Sequence, residues 1–240
     1  MSAVQLLVVA TLVLVHLFAG RLRFLDASPR SSWLSFAGGI SVAYVFVHVF
    51  PELQEAQHEL GETFDASWLE HHVYLVAMIG LVVFYGLELV VQRRGPDRDE
   101  AARERSAKAV FRLHVGMFAL YNTLIGYLLV HRVEQDLRGL LLFGFAYALH
   151  FIVNDHGLSS HHRERYRRRG RWILAGAVVL GWVVGLATEV SEVAVHVLFA
   201  LLAGATILNV LKEELPEERQ SRFVPFLAGA AGYAALMVTL

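Results

Sequence analysis

"GISVAYVFVHVFPE", residues 39–52, and "GATILNVLKEELPE", residues 204–217, carry the same residue at four matching places: Gly39 and Gly204, Val45 and Val210, Pro51 and Pro216, Glu52 and Glu217. Each window opens on small residues, runs apolar and stops at Pro-Glu. Two readings are open. Either the windows are copies of one element, or Pro-Glu is only a helix-ending dipeptide, because proline has no N–H with which to extend the preceding ladder. The rest of the chain has to decide between them.

The 240 residues are 56% hydrophobic, and 21 Lys and Arg stand against 22 Asp and Glu. The charges cluster in short blocks, and the apolar runs between them are long enough to cross about 30 Å of hydrocarbon at about 1.5 Å per helical residue. Eight candidate spans result: Val4 to Ala19, Trp33 to Phe50, Val73 to Val91, Val110 to Val130, Leu140 to Val153, Trp172 to Ala187, Val193 to Leu211 and Phe223 to Leu240. The first has no basic residue before it and no small-x-small cleavage site after it, so it reads as a span rather than a signal peptide. A water-soluble fold would need helices that are apolar all round to be buried in one small core. The expectation is an all-α, polytopic membrane helix bundle.

The chain has no cysteine, which removes disulfides, thiolate metal sites and iron–sulfur clusters. A transition metal would need histidine, carboxylate or amide ligands. The arginine runs border spans, where the charge bias of membrane topology accounts for them, so the expected partner is the lipid bilayer and not nucleic acid. No nucleophile elbow, phosphate loop or zinc-protease motif is present, and no enzymatic activity is expected.

Every Lys and Arg except Arg132 and Arg138 falls in alternate loops: Arg21 to Arg30, Arg93 to Arg112, Arg163 to Arg171 and Lys212 to Arg222. The positive-inside rule then places both termini outside the cytoplasm, and the expected location is the cell (inner) membrane. On that topology the second span runs outward and the seventh inward, so the two Pro-Glu windows are inverted copies. Inverted repeats let two similar halves exchange which side is open, and they are a transporter signature. The stretch after the second span, "PELQEAQHELGETFDASWLEHH", has six acids and no Lys or Arg. It reads either as a cation-attracting mouth or as a solvated acidic loop.

Eight spans with both ends outside, a 3+2+3 inverted arrangement and Pro-Glu endings on the second and seventh spans resemble the ZIP (zinc/iron permease) family. The resemblance implies a single transmembrane domain with one repeat at residues 4–91, a central helix pair at 110–157 and a second repeat at 172–240. In that family the fourth span carries a His-Asn-x-x-Asp-Gly motif and the fifth His-Glu-x-Pro-His-Glu. Here the fourth has "YNTLIG", residues 121–126: Asn122 and Gly126 match, Tyr121 replaces the histidine and Ile125 the carboxylate. The fifth has "HFIVND", residues 150–155: His150 matches, Asp155 supplies a carboxylate, and Phe151, Val153 and Asn154 depart.

The metal set implied by the resemblance is therefore Asn122, His150, Asn154 and Asp155. His150 and Asn154, at i and i+4, share a helical face, while Asp155 lies about 140° around from His150 and joins them only if the helix unwinds there. In the alternative, Asn154, Asp155 and His156 are polar residues at a helix end, Gly157 is a C′ glycine and the arginines are an interface anchor. Asn122 is either a ligand or a hydrogen-bonding contact between helices. His48 and Glu52, again i and i+4, have the spacing to hold a metal at a channel mouth. Glu88 is expected to snorkel or to pair with Arg93 or Arg94.

Three functions follow. The first is a carrier for a divalent metal such as zinc, iron or manganese, with the ion as substrate and no organic cofactor. The second is a non-transporting protein of the same fold, acting as sensor or assembly partner; under either reading a second copy of the chain, as a homodimer, is among the expected partners. The third is bis-histidine haem binding through His16, His48, His114, His150 or His196.

Overall fold

The computed structural model describes residues 3–22, 31–63, 72–92, 100–131, 137–189, 191–214 and 222–239. These are helical almost throughout. The α-helices are α1 (Ala3–Phe18), α2 (Ser32–Tyr44), α3 (Phe50–Thr63), α4 (His72–Gln92), α5 (Glu100–Leu128), α6 (Leu137–Arg165), α7 (Arg171–Ala187), α8 (Glu192–Asn209) and α9 (Phe223–Thr239). Turns of π-helix at Val45–Val49, Tyr166–Gly170 and Val210–Glu214 join α2 to α3, join α6 to α7 and extend α8. Within the described residues each of the eight candidate spans is largely helical, the second passing from α2 through the π-turn into α3.

Six helical stretches among the described residues are long and apolar enough to cross a membrane, and α9 is a shorter apolar helix. The chain has the build of an integral membrane protein. The fourth expected span is not among the six, because α5 carries Arg112, His114 and Asn122 within its apolar run. Lipid-type exposure is concentrated on α4 and α7: Met78, Ile79, Val82, Leu180 and Val183 are all exposed. In contrast, 67% of the α2 window and 61% of the α6 and α8 windows are buried, against 28% for α1 and α4, so α2, α6 and α8 lie in the interior, with the second half of α5, where Phe118, Tyr121, Asn122 and Ile125 are buried.

Local chemistry sets the helix starts. The Ser31 hydroxyl accepts from the Trp33 N–H at 3.2 Å at the start of α2, and Ser191 accepts from Ala194 N–H at 3.3 Å at the start of α8. Each satisfies one of the N–H groups a helix leaves unpaired. The π-turn of residues 45–49 comes just before Pro51, where the ladder loses a donor, and α3 then continues to Thr63. The first part of the acidic stretch is thus helix rather than loop; residues 64–71 lie outside the described residues.

Glycines let the rods meet backbone to backbone. A Cβ on Gly39 would stand 2.0 Å from the Phe226 carbonyl oxygen, and one on Gly229 would stand 2.1 Å from that of Phe36. The α4–α8 pair has the same design: a Cβ on Gly80 would stand 2.2 Å from the Leu201 oxygen and one on Gly204 1.8 Å from that of Ala77. Gly126 and Gly181 do the same for α5 and α7. Small residues at such crossings gain dispersion contacts that lipid cannot supply.

The paired helices run in the same direction. Gly144 meets Val8, Asp155 meets His16 and Ser159 meets Gly20, so residue numbers rise together along α1 and α6. Glu59 of α3, whose Gln57 accepts from the Val73 N–H at the start of α4, reaches His196 near the start of α8, and Glu88 near the end of α4 reaches Lys212 beyond the end of α8.

Candidate functional site

α1 turns Val8, Val9, Leu12 and His16 to the bundle, all of them buried. His16 is the polar member, and it sits between Asn122 of α5 and Asp155 of α6. Its Nδ1 is 2.9 and 3.1 Å from the two carboxylate oxygens of Asp155, and its Nε2 is 3.0 Å from the Asn122 amide nitrogen. All three are at most 1% exposed. An amide N–H donated to Nε2 leaves the imidazole proton on Nδ1, where it donates to Asp155. A carboxylate behind an imidazole fixes its tautomer and makes the far nitrogen a better base or ligand. Turning the Asn122 amide over presents its oxygen beside Nε2, an arrangement suited to a proton or a cation at that nitrogen.

A second group lies on the other side of α6. His150 Nε2 is 3.1 Å from the Tyr121 hydroxyl and 2.9 Å from the Asn154 amide nitrogen. The Tyr121 hydroxyl is 2.9 Å from Thr206 Oγ1, and Thr206 donates to the Leu202 carbonyl at 2.9 Å. Phe151 separates the two groups, its ring centre 4.3 Å from that of His16 and 6.5 Å from that of His150. The Asn154 side-chain oxygen is buried without a hydrogen-bond partner, which costs about 1–3 kcal/mol and leaves an acceptor beside His150.

These contacts alter several expectations. α6 does not unwind at Asp155; it stays helical, so Asp155 turns to α1 while His150 and Asn154 face α5. Asn122 meets His16, and it is Tyr121 that meets His150. The helix-foot alternative also fails, since α6 runs past Gly157 as far as the kink at Arg163 and both Asn154 and Asp155 are buried. The break comes later, at Arg163, whose φ of 37° and ψ of −108° lie outside the helical region. Among the described residues, no group of three or more His, Cys, Asp or Glu side chains is arranged to hold a metal ion. A cation in the core would therefore depend on amide or phenol oxygens as well.

His48 and Glu52 do meet, Nε2 to Oε1 at 3.4 Å, and both are buried. Glu88 is neither snorkelling nor open to solvent: it is 7% exposed, 2.7 Å from Lys212 Nζ and 3.7 Å from His114 Nε2. Arg93 and Arg94 lie outside the described residues. His114 Nδ1 is in turn 3.2 Å from His162 Nε2. Ionisable pairs thus stand near the starts of α4 and α8 and again near their ends, with the His16 and His150 groups elsewhere in the interior.

Comparison with known proteins adds no family: no protein-family description matches the chain, and no curated protein does.

Proposed function

We propose that the chain is a ZIP-like membrane carrier for a divalent cation of the zinc, iron or manganese class, working through a core site of low charge. The observation that carries this is the burial of two histidines, two asparagines and an aspartate from α1, α5 and α6 inside an apolar bundle. Polar groups at membrane depth are costly, and they mark ion pathways when they face the bundle interior. In this reading each group offers one nitrogen on its own side of Phe151, His16 Nε2 beside the Asn122 amide and His150 Nε2 beside the Asn154 amide, and the amides supply oxygen. Asp155 holds His16 from behind and supplies the negative charge. A site with one carboxylate suits borderline ions that accept imidazole better than it suits calcium or magnesium.

The 3+2+3 inverted arrangement is part of this proposal, and several contacts support it. Gly39 meets Phe226 and Ala230 as Gly204 meets Ala77 and Leu81, while Gly229 meets Phe36 as Gly80 meets Leu201. Phe36 and Leu201 each stand three residues before the glycine of their own window, and Phe226 and Ala77 each three before their partner glycine. The π-turns begin at Val45 and Val210, which the two windows align. Movement of the two halves about α5 and α6 would expose the site alternately, and the arginine partition would put both chain ends outside the cytoplasm.

A second reading, a non-transporting protein of the same fold, draws on the hydrogen bonds that already engage the facing nitrogens of both core histidines. Metal analysis of purified protein, beside His16→Ala and His150→Ala, tests the site. Bound zinc, iron or manganese lost in both variants supports it, and a metal-free wild type incubated with these ions overturns it. Metal bound but never moved across a liposome membrane would favour the second reading. A Soret band would replace both with haem.

A further inference from the structure

A cavity of about 700 Å³ opens where α1 ends and α7 begins, at the arginine-rich end of these helices. Its walls include Arg21, Arg167, Arg168 and Arg171 against a single acid, Glu164. A second cavity of about 620 Å³ shares Gly20, Glu164 and Arg167 with it and adds Ser159, Ser160 and Arg163. Glu164 is already bonded to Arg167 and Arg168. Arg171 gives one N–H to the Leu17 carbonyl at 3.3 Å, and its buried Nε has no hydrogen-bond partner. Four guanidinium groups around one carboxylate leave an uncompensated positive field, and their planar forks match phosphate oxygens.

The rim has a different character. Arg21 lies over the Phe18 ring at 5.2 Å and Arg171 over Trp172 at 5.5 Å. Phe18, Trp172 and Ile173 are 46%, 57% and 46% exposed. A basic floor beneath an exposed apolar and aromatic edge suits a ligand with a phosphate at one end and hydrocarbon at the other. A free anion would use the floor alone.

We propose that this cavity binds a phosphate-bearing anion, and that the anion is the headgroup of an anionic lipid whose chains lie along Phe18 and Trp172. His16 also lines this cavity, so the headgroup preference is measured on metal-free protein, where it does not rest on the proposed core site. The lipid site is tested on full-length protein in detergent by native mass spectrometry with phosphatidylglycerol and phosphatidylcholine. Wild type is expected to retain phosphatidylglycerol about tenfold better. The double variant Arg21→Gln, Arg168→Gln should lose that preference, while Arg105→Gln, Arg112→Gln, which removes the same charge from exposed positions on α5, should keep it. Should the glutamine pair fail to fold, Arg21→Lys, Arg168→Lys keeps the charge but loses the fork, and an intermediate preference is expected. Equal loss in the α5 control, or no preference in wild type, overturns the site. If inorganic phosphate alone raises the wild-type melting temperature through Arg21 and Arg168 while lipid retention shows no headgroup preference, the ligand is a free anion and the lipid assignment is overturned.

Discussion

Replacing His16 by alanine would leave the buried Asp155 carboxylate without its imidazole donor. Removing one partner of a buried pair costs about 3–5 kcal/mol, so His16→Ala should lower the melting temperature in detergent far more than an exposed change such as Glu55→Ala. The pair His16→Leu, Asp155→Leu should recover part of the loss, because two apolar side chains leave no orphaned charge. Equal melting temperatures for wild type and His16→Ala would mean the pair is not formed. The i and i+4 spacing of His150 with Asn154 and of His48 with Glu52 was legible in the sequence, since helical periodicity puts such residues side by side. The partner of Asp155 was not, because it lies 139 positions away on another helix. One signal was present: His16 is the only ionisable residue within the first span, and a buried imidazole there needs a partner.

Between helices, the crossings rest on the missing Cβ atoms. Gly39→Ala, Gly204→Ala or Gly126→Ala would drive a methyl group into a facing backbone, and each should cost about 1–3 kcal/mol of stability. Gly176→Ala and Gly86→Ala meet open space and should be neutral or stabilising by up to about 1 kcal/mol, measured by thermal unfolding in the same detergent. The α5 extension before the fourth span is tied to the end of α6 by Glu104 and Arg165. The Arg165 hydrogen bond, followed by its charge, holds the Glu104 carboxyl below the ordinary carboxylate range. The stabilisation is therefore present above the unfolded carboxyl pKa and is lost as pH falls through the folded one. In Arg165→Gln the Glu104 titration, followed by NMR, should move upward. Apolar run lengths and charge blocks located the apolar helices beforehand, six of them long and apolar enough to cross a membrane among the described residues. The continuation of α6 beyond Gly157 and the helix after Pro51 were missed, because glycine and proline stop an isolated helix more reliably than one held by neighbours or relieved by a π-turn.

For the whole molecule, the lack of cysteine makes orientation directly measurable. A cysteine at Glu55 should react with an impermeant thiol reagent added outside intact cells, and one at Lys108 should react only after the membrane is opened; the reverse pattern would invert the proposed topology. The membrane character was legible because hydropathy reports it residue by residue. The departures from the ZIP motifs left the use of the core open, since a site with one carboxylate can carry an ion, sense one or only hold helices together. Uptake into liposomes tests the central claim most directly. Protein reconstituted at a known orientation should carry zinc, iron or manganese down its gradient, with His16→Ala and His150→Ala folded yet each at least about tenfold slower. Uptake of none of the three by folded wild type, or uptake unchanged in both variants, would contradict the account.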